Sequence, residues 1–208
     1  MNKKHIITIA GSLGSGKSST AKRVAEILGY THYSTGDFMR SIADKRGVSL
    51  GDLNIIGEID TSIDKELDDR NIEIGNMENV VLDSRLGFHF IPNAFKVFLD
   101  LDPETASERI LKDKENNPNR SKEASGSFDT KESILEKTSN RLSSERKRYR
   151  DLYGIEDHTS PDNFDIVIST KELSLEEVSK KVVLEYNNWL SVAPKGRSCD
   201  MISPNQIL

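Results

Sequence analysis

Cysteine is almost missing from this chain: Cys199 is the one cysteine among 208 residues. That excludes an internal disulfide and a cysteine-based zinc site. Long apolar runs are missing too, so no segment suits a membrane span. Met1 to Ile9 is too short, and too directly a strand, to serve as a signal peptide. The histidines His5, His32, His89 and His158 lie far apart and show no metal-ligand spacing. A positive charge balance is lacking as well. The formal net charge is −5, which argues against general nucleic-acid binding. There are no internal repeats. What these absences leave is an acidic chain expected in the cytoplasm, with 35% hydrophobic residues and length enough for one domain with small inserts.

What is present is concentrated first in Gly11-Ser12-Leu13-Gly14-Ser15-Gly16-Lys17-Ser18. Two glycines at the right spacing, followed by Lys and Ser, fit a phosphate-binding loop. Ile6-Ile7-Thr8-Ile9-Ala10 before it reads as a buried strand. Ala21, Val24, Ala25 and Leu28 after it recur at helical spacing until Gly29. Strand, glycine loop and helix thus come in the order the chemistry needs. Glycines let backbone N–H groups curl around phosphate, and the helix N-terminus adds partial positive charge. Lys17 can reach the outer phosphates, the Ser18 hydroxyl can ligate Mg²⁺, and Ser19 extends the loop into the helix. An acidic protein that holds several phosphates must gather its arginines locally, so their positions carry information.

Further strands are expected at Tyr30-Thr31-His32-Tyr33, Asn79-Val80-Val81-Leu82-Asp83, Phe95-Lys96-Val97-Phe98-Leu99-Asp100 and Asp165-Ile166-Val167-Ile168-Ser169. Thr35 or Ser34 can cap the next helix, with Asp37 in its first turn and Arg40 one turn inside, placed for a second phosphate. Residues 47–79 read as a charged helical insert with one buried face that includes Leu53, Ile63, Leu67, Ile72 and Ile74. Within it Asp60, Asp64, Asp69 and Arg70 are either hydrogen-bonding groups for a ligand or a solvated face. Asp83, at the end of a central strand, can hold Mg²⁺ through water or simply cap a loop. Arg85 stands at the sheet's functional edge, and Arg109 at the middle of a helix opened by Asp102-Pro103-Glu104. From Lys112 to Lys131 the composition turns polar, which suits either a mobile lid over phosphates or a plain surface loop. In the helix from Glu132 to Tyr153, Leu135, Leu142 and Tyr149 form an apolar seam. Arg141, Glu145 and Arg148 share a neighbouring stripe, as a surface ion pair or as a site for phosphate and a sugar hydroxyl. Ser174 with Glu177 makes a capping box for a last amphipathic helix running through Leu175, Val178, Val182, Tyr186 and Trp189. Alternating strands and helices predict an α/β, three-layer fold with a five-stranded parallel sheet.

Ser34-Thr35-Gly36-Asp37 with Arg40, following a phosphate loop, resembles the P-loop nucleoside monophosphate kinases. Val80 to Leu86, Phe98-Leu99-Asp100 with Arg109, Arg148-Tyr149 through Tyr153-Gly154-Ile155, and Phe164 to Thr170 are together similar to cytidylate kinases, closest to their short archaeal-type branch. The resemblance spans residues 5–190. It implies a single kinase domain over 1–190, with a small nucleotide-binding insert at about 41–78, a lid at about 112–131 and a loose tail at 191–208. It implies ATP and Mg²⁺ on residues 11–19, including Lys17, Ser18 and Ser19, with Ser18 and Asp83 toward the metal. Thr35, Arg40, Arg85, Arg109, Arg141 and Arg148 would meet nucleotide phosphates, Glu145 the ribose and Asp37 the substrate, with Lys17, Arg85, Arg109, Arg141 and Arg148 as the catalytic cations. Three departures stand out: Ser84 in place of the usual Gly, Glu145 in place of the Asp of the common bacterial branch, and a longer, more polar lid. The implied reaction transfers the γ-phosphate of ATP to CMP or dCMP in a monomer or weak dimer, with no nucleic-acid polymer or membrane as partner. The alternatives are another monophosphate or small acceptor, or an ATP-binding switch that transfers nothing.

Overall fold

The computed structural model describes residues 3–49, 52, 53, 56, 60, 62–116 and 130–192. Five strands form where the sequence places them: β1 Ile6–Gly11, β2 Thr31–Ser34, β3 Val80–Asp83, β4 Phe95–Asp100 and β5 Ile166–Ser169. They form one parallel sheet in the order β2-β3-β1-β4-β5. Around it lie helices α1 (Lys17–Leu28), α2 (Thr35–Arg46), α3 (Ser62–Gly75), α4 (Gly87–Phe90), α5 (Pro103–Asn116), α6 (Lys131–Tyr153) and α7 (Leu175–Ser191).

The period-2 alternation of β1 divides the core between two faces. Ile7 and Ile9 point to the side covered by α1 and α7, where they meet Val24, Val97, Val182 and Tyr186. Ile6 points the other way and packs with Leu82, Ile74 and Ile91. Both faces are therefore buried, which is why β1, β3 and β4 read as nearly continuous apolar runs. A separate small cluster of Ile42, Ala43, Leu53 and Ile63 holds α2 and α3 together.

The helix ends follow local chemistry. Ser34 rather than Thr35 caps α2, its hydroxyl accepting from the Asp37 N–H at 3.3 Å. Ser174 and Glu177 form the reciprocal capping box that opens α7. Two apolar residues depart from expectation. Ile72 is 51% exposed, because the buried stripe of α3 runs through Ile63, Asp64, Asn71 and Ile74 and leaves it to one side. Leu175 is also exposed, in the first turn of α7. Most of the expected lid, residues 117–129, and the tail from 193 onward lie outside the described residues. So do Leu50, Ile55 and Ile59 of the expected insert face.

The order matters for function. β1 sits in the middle, with β3 on one side (Ile9 opposite Asp83) and β4 on the other (Gly11 opposite Leu99). The connection from β1 runs toward one edge of the sheet, to β2, and the connection from its neighbour β3 runs the other way, to β4, so a crevice opens at the carboxyl ends of these strands, where open α/β sheets bind ligands. The glycine loop and Asp83 both lie there.

Candidate active site

The loop after β1 has the shape its glycines permit. A side chain on Gly11 would place its Cβ 2.6 Å from the Leu99 carbonyl oxygen, so only glycine lets β1 and β4 run this close. Gly16 adopts φ +80°, and α1 begins directly after it with no side-chain cap. The first-turn amides of α1 thus keep the unpaired N–H groups that favour an anion. The Ser15 hydroxyl is buried beside them and has no partner.

The Lys17 ammonium lies 2.9 Å from Asp83 Oδ1, and the Ser18 hydroxyl donates to Asp83 Oδ2 at 2.5 Å. Asp83 is 3% exposed, so β3 delivers a buried carboxylate to both side chains of the loop. Burial lowers the lysine pKa; Asp83 opposes that shift, while the nearby Arg85 and Arg141 guanidiniums add to it. Those two arginines are therefore close enough to act electrostatically on the loop lysine.

They belong to a second cluster, built where the end of β3 faces α6. Arg85 Nε lies 2.9 Å from Glu145 Oε2, and Arg141 Nε lies 2.9 Å from Glu145 Oε1. The Glu145 side chain is 12% exposed. Burial works against its charge, but the two guanidiniums overcome it and hold the carboxyl below its usual range. Glu145 thus faces inward and shares its carboxylate with Arg85 from outside the helix, while Arg141 stays 44% exposed. One turn on, Arg148 approaches Asp64 of α3 at 3.8 Å, too far for a hydrogen bond. Asp64 Oδ2 and Arg148 Nε are both buried without hydrogen-bond partners. Burial raises the Asp64 carboxyl above its ordinary value, with Arg148 opposing.

Other residues singled out in the sequence are placed apart from this cluster. Arg40 pairs with Asp37 on the surface of α2, and Thr35 Oγ1 is buried without a partner. Arg109 turns toward the β5–α7 loop, donating to the carbonyls of Thr170 at 2.7 Å and Lys171 at 2.9 Å. Of the four charged residues weighed in the insert, Asp64 alone is buried. Asp60 pairs with Arg46 and Arg70 with Glu73, both on exposed faces. A cleft of about 390 Å³ does open between α2 and α3, lined by Phe38, Ile42, Lys45, Leu67 and Arg70 among others. It contains none of the loop residues and neither Arg85 nor Arg141, so its volume does not mark the reacting centre.

Two features were missed. The Tyr153 hydroxyl donates to Asp68 at 3.0 Å, joining α6 to α3. His158, 4% exposed, sits with Nε2 3.7 Å from Glu145 Oε2. No spacing signal pointed to either, because each contact joins segments that are distant in sequence or separated by a turn.

The residues present fit ATP and Mg²⁺. The loop offers uncapped amides, a buried orphan hydroxyl and a lysine, and Ser18 with Asp83 could supply two oxygen ligands. Among the described residues no group of three or more His, Cys, Asp or Glu side chains gathers to hold a metal. Mg²⁺ asks for less, since it is commonly held by one or two protein ligands together with substrate phosphates and water.

Fold and loop define a P-loop nucleotide-binding protein. Residues 7–134 match the family described as an AAA domain. The shikimate kinase of Bacteroides thetaiotaomicron shares the fold at TM-score 0.59 and 15% identity, covering 86% of this chain and 98% of that one. The cytidylate kinase of Pyrococcus horikoshii is 32% identical over 176 residues, 84% of each chain. The chain belongs to the cytidylate kinase family and is a nucleoside monophosphate kinase. A longer relative in Lacinutrix mariniflava, an S-adenosylmethionine-dependent nucleotide dehydratase, is 35% identical over 182 residues. That match covers 86% of this chain but spans only 35% of the relative.

Proposed function

We propose that this kinase transfers the γ-phosphoryl group of ATP to CMP or dCMP, giving ADP and the nucleoside diphosphate. One observation carries the placement of the acceptor. A buried carboxylate, Glu145, collects two guanidiniums beside the loop lysine, and clustered cations of this kind are suited to phosphate oxygens. The cytidine preference rests on the relatives that carry that name.

The chain's own residues do the following. The amides of residues 11–19 and the Lys17 ammonium hold the ATP phosphates. Ser18 and Asp83 would hold Mg²⁺, which neutralises phosphate charge when bound. Arg85 and Arg141 turn from Glu145 toward the phosphates, and Arg148 steadies the acceptor. Glu145 then accepts hydrogen bonds from the ribose. An acceptor phosphate oxygen forms the new bond to the γ-phosphorus as the bond to the ADP oxygen breaks, in line. No protein nucleophile takes part, because the transition state needs positioning and spread cationic charge. The insert at about 41–78, which carries Asp64, closes over the acceptor beside Arg40 of α2. A lid at 112–131 keeps water out, and Arg109, on α5 before it, holds the β5–α7 loop through the Thr170 and Lys171 carbonyls.

A coupled assay for ADP release, with ATP, Mg²⁺ and each of CMP, dCMP, UMP, AMP and GMP, tests this reading. Preferred turnover with CMP or dCMP is expected. Preference for another monophosphate would discard the cytidine assignment. Silence on all five, with ATP still bound, would favour a nucleotide switch.

A further inference from the structure

His158 lies in the turn between the C-cap of α6 at Gly154 and a short 3₁₀ segment, Pro161–Asn163. Its ring is buried edge-on against Tyr149, centroids 4.9 Å apart and planes at 89°. The turn is well anchored. Arg146 pairs with Asp157 at 3.0 Å, the Thr159 N–H donates to Asp157 Oδ1 at 2.9 Å, and the Asn163 amide donates to the Asp157 carbonyl at 2.9 Å. The imidazole is thus held in one place. One nitrogen, Nδ1, is buried with no partner, and the other faces Glu145 Oε2 at 3.7 Å.

These surroundings select a protonation state. Burial favours the neutral ring; Glu145 favours the charged one, Arg85 the neutral, Asp157 the charged and Arg146 the neutral, and the balance lowers the pKa. A neutral imidazole carries a single N–H. Placing it on Nε2 aims it at the carboxylate and leaves Nδ1 as a bare acceptor, which costs less than a buried unsatisfied N–H. The separation is about half an ångström beyond hydrogen-bond range, while Glu145 is already occupied by two guanidiniums. Once Arg85 and Arg141 move to phosphate, that buried carboxylate loses both charged donors, a state proteins avoid.

We propose that His158 is a positioning residue for Glu145, its Nε2–H keeping the carboxylate in place when Arg85 and Arg141 leave it for nucleotide phosphates. This rests on the reading of Glu145 as an acceptor-side group, and it adds a residue that neither periodicity nor motif indicates.

The test compares His158→Leu, His158→Gln, Glu145→Gln and the His158→Leu/Glu145→Gln double variant by steady-state kinetics with ATP and CMP. His158→Leu should raise the KM for CMP about tenfold, the lower end expected for losing a hydrogen bond to a charged group, with the KM for ATP within about twofold. His158→Gln, which keeps an amide N–H, should recover most of the loss. With Glu145 already neutralised, His158→Leu should add little. Equal changes in both KM values, or an undiminished effect in the Glu145→Gln background, would overturn the proposal. A second readout needs no turnover and covers a His158→Leu protein that fails to fold. The His158 ring is titrated by NMR in the intact wild-type and Glu145→Gln proteins, and its pKa should fall further when the Glu145 charge is removed. An unmoved titration would refute the coupling. A wild-type protein silent on CMP would defeat the cytidine reading, and the titration would then decide for His158.

Discussion

Replacing Glu145 by Gln keeps the side chain's size and removes its charge, so the change isolates one electrostatic role. In the native chain that carboxylate neutralises Arg85 and Arg141 across two contacts of 2.9 Å. Breaking a well-buried ion pair by removing one partner costs roughly 3–5 kcal/mol, because the surviving charge is left without compensation. The exposures here argue for less: Glu145 is 12% exposed and Arg85 25%, but Arg141 is 44% exposed and recovers much of its hydration. A loss of about 2–3 kcal/mol is expected, which for a chain of this size lowers Tm by about 5–10 °C. Scanning calorimetry at pH 7 would read it. The pH dependence gives an independent check. Because the folded carboxyl titrates below its usual value, near 4.3 when unperturbed, its stabilisation is present above that value and disappears as pH falls through the lowered one. The Tm gap between wild type and variant should therefore close under acid conditions. An unchanged Tm at pH 7, or a gap that persists once the Glu145 carboxyl is protonated in both the folded and the unfolded wild type, would refute the account of Glu145 as the anchor of this cluster.

Three further outcomes follow from the same geometry. Lys17→Ala should abolish turnover while circular dichroism shows the fold retained; normal kcat would remove the glycine loop from the mechanism. Arg148→Ala should lower kcat/KM by about 10- to 100-fold, the scale of one charge-assisted hydrogen bond, and an unchanged value would return Arg148 to a structural role on α6. Gly11→Ala should destabilise the protein by about 1–3 kcal/mol in urea unfolding, since its Cβ would sit 2.6 Å from the Leu99 carbonyl. Wild-type stability there would mean that β1 and β4 can separate freely.

Much of the frame was legible because its signals are local. Four of the five strands fall on short apolar runs, β2 (Thr31–Ser34) being the polar exception at the sheet edge, and β4 matches its expected bounds of Phe95 to Asp100. Gly29, Gly47 and Gly154 close helices in the left-handed conformation that favours glycine. The capping box at Ser174 needs only residues three apart. Where the reading slipped, a helical period was counted one residue off its stripe, as at Ile72, or a residue lay at a helix end, as at Leu175.

By itself, the order of residues determined the strand, glycine loop and helix that hold phosphate. It also placed Arg141, Glu145 and Arg148 on one face of α6, since both depend on neighbours within a few turns of chain. Tertiary structure decided what that face meets. Periodicity could not say whether Arg141 and Glu145 form a surface pair or part of a ligand site; the tertiary fold brings Arg85 to Glu145 across sixty residues and buries the carboxylate, while Arg141 stays largely exposed. The same packing turned Arg109 away toward Thr170, separated Asp64 from the other insert acids, and set His158 behind the carboxylate. Such contacts depend on strand order and on which helix covers which edge. A one-dimensional pattern does not encode either one locally.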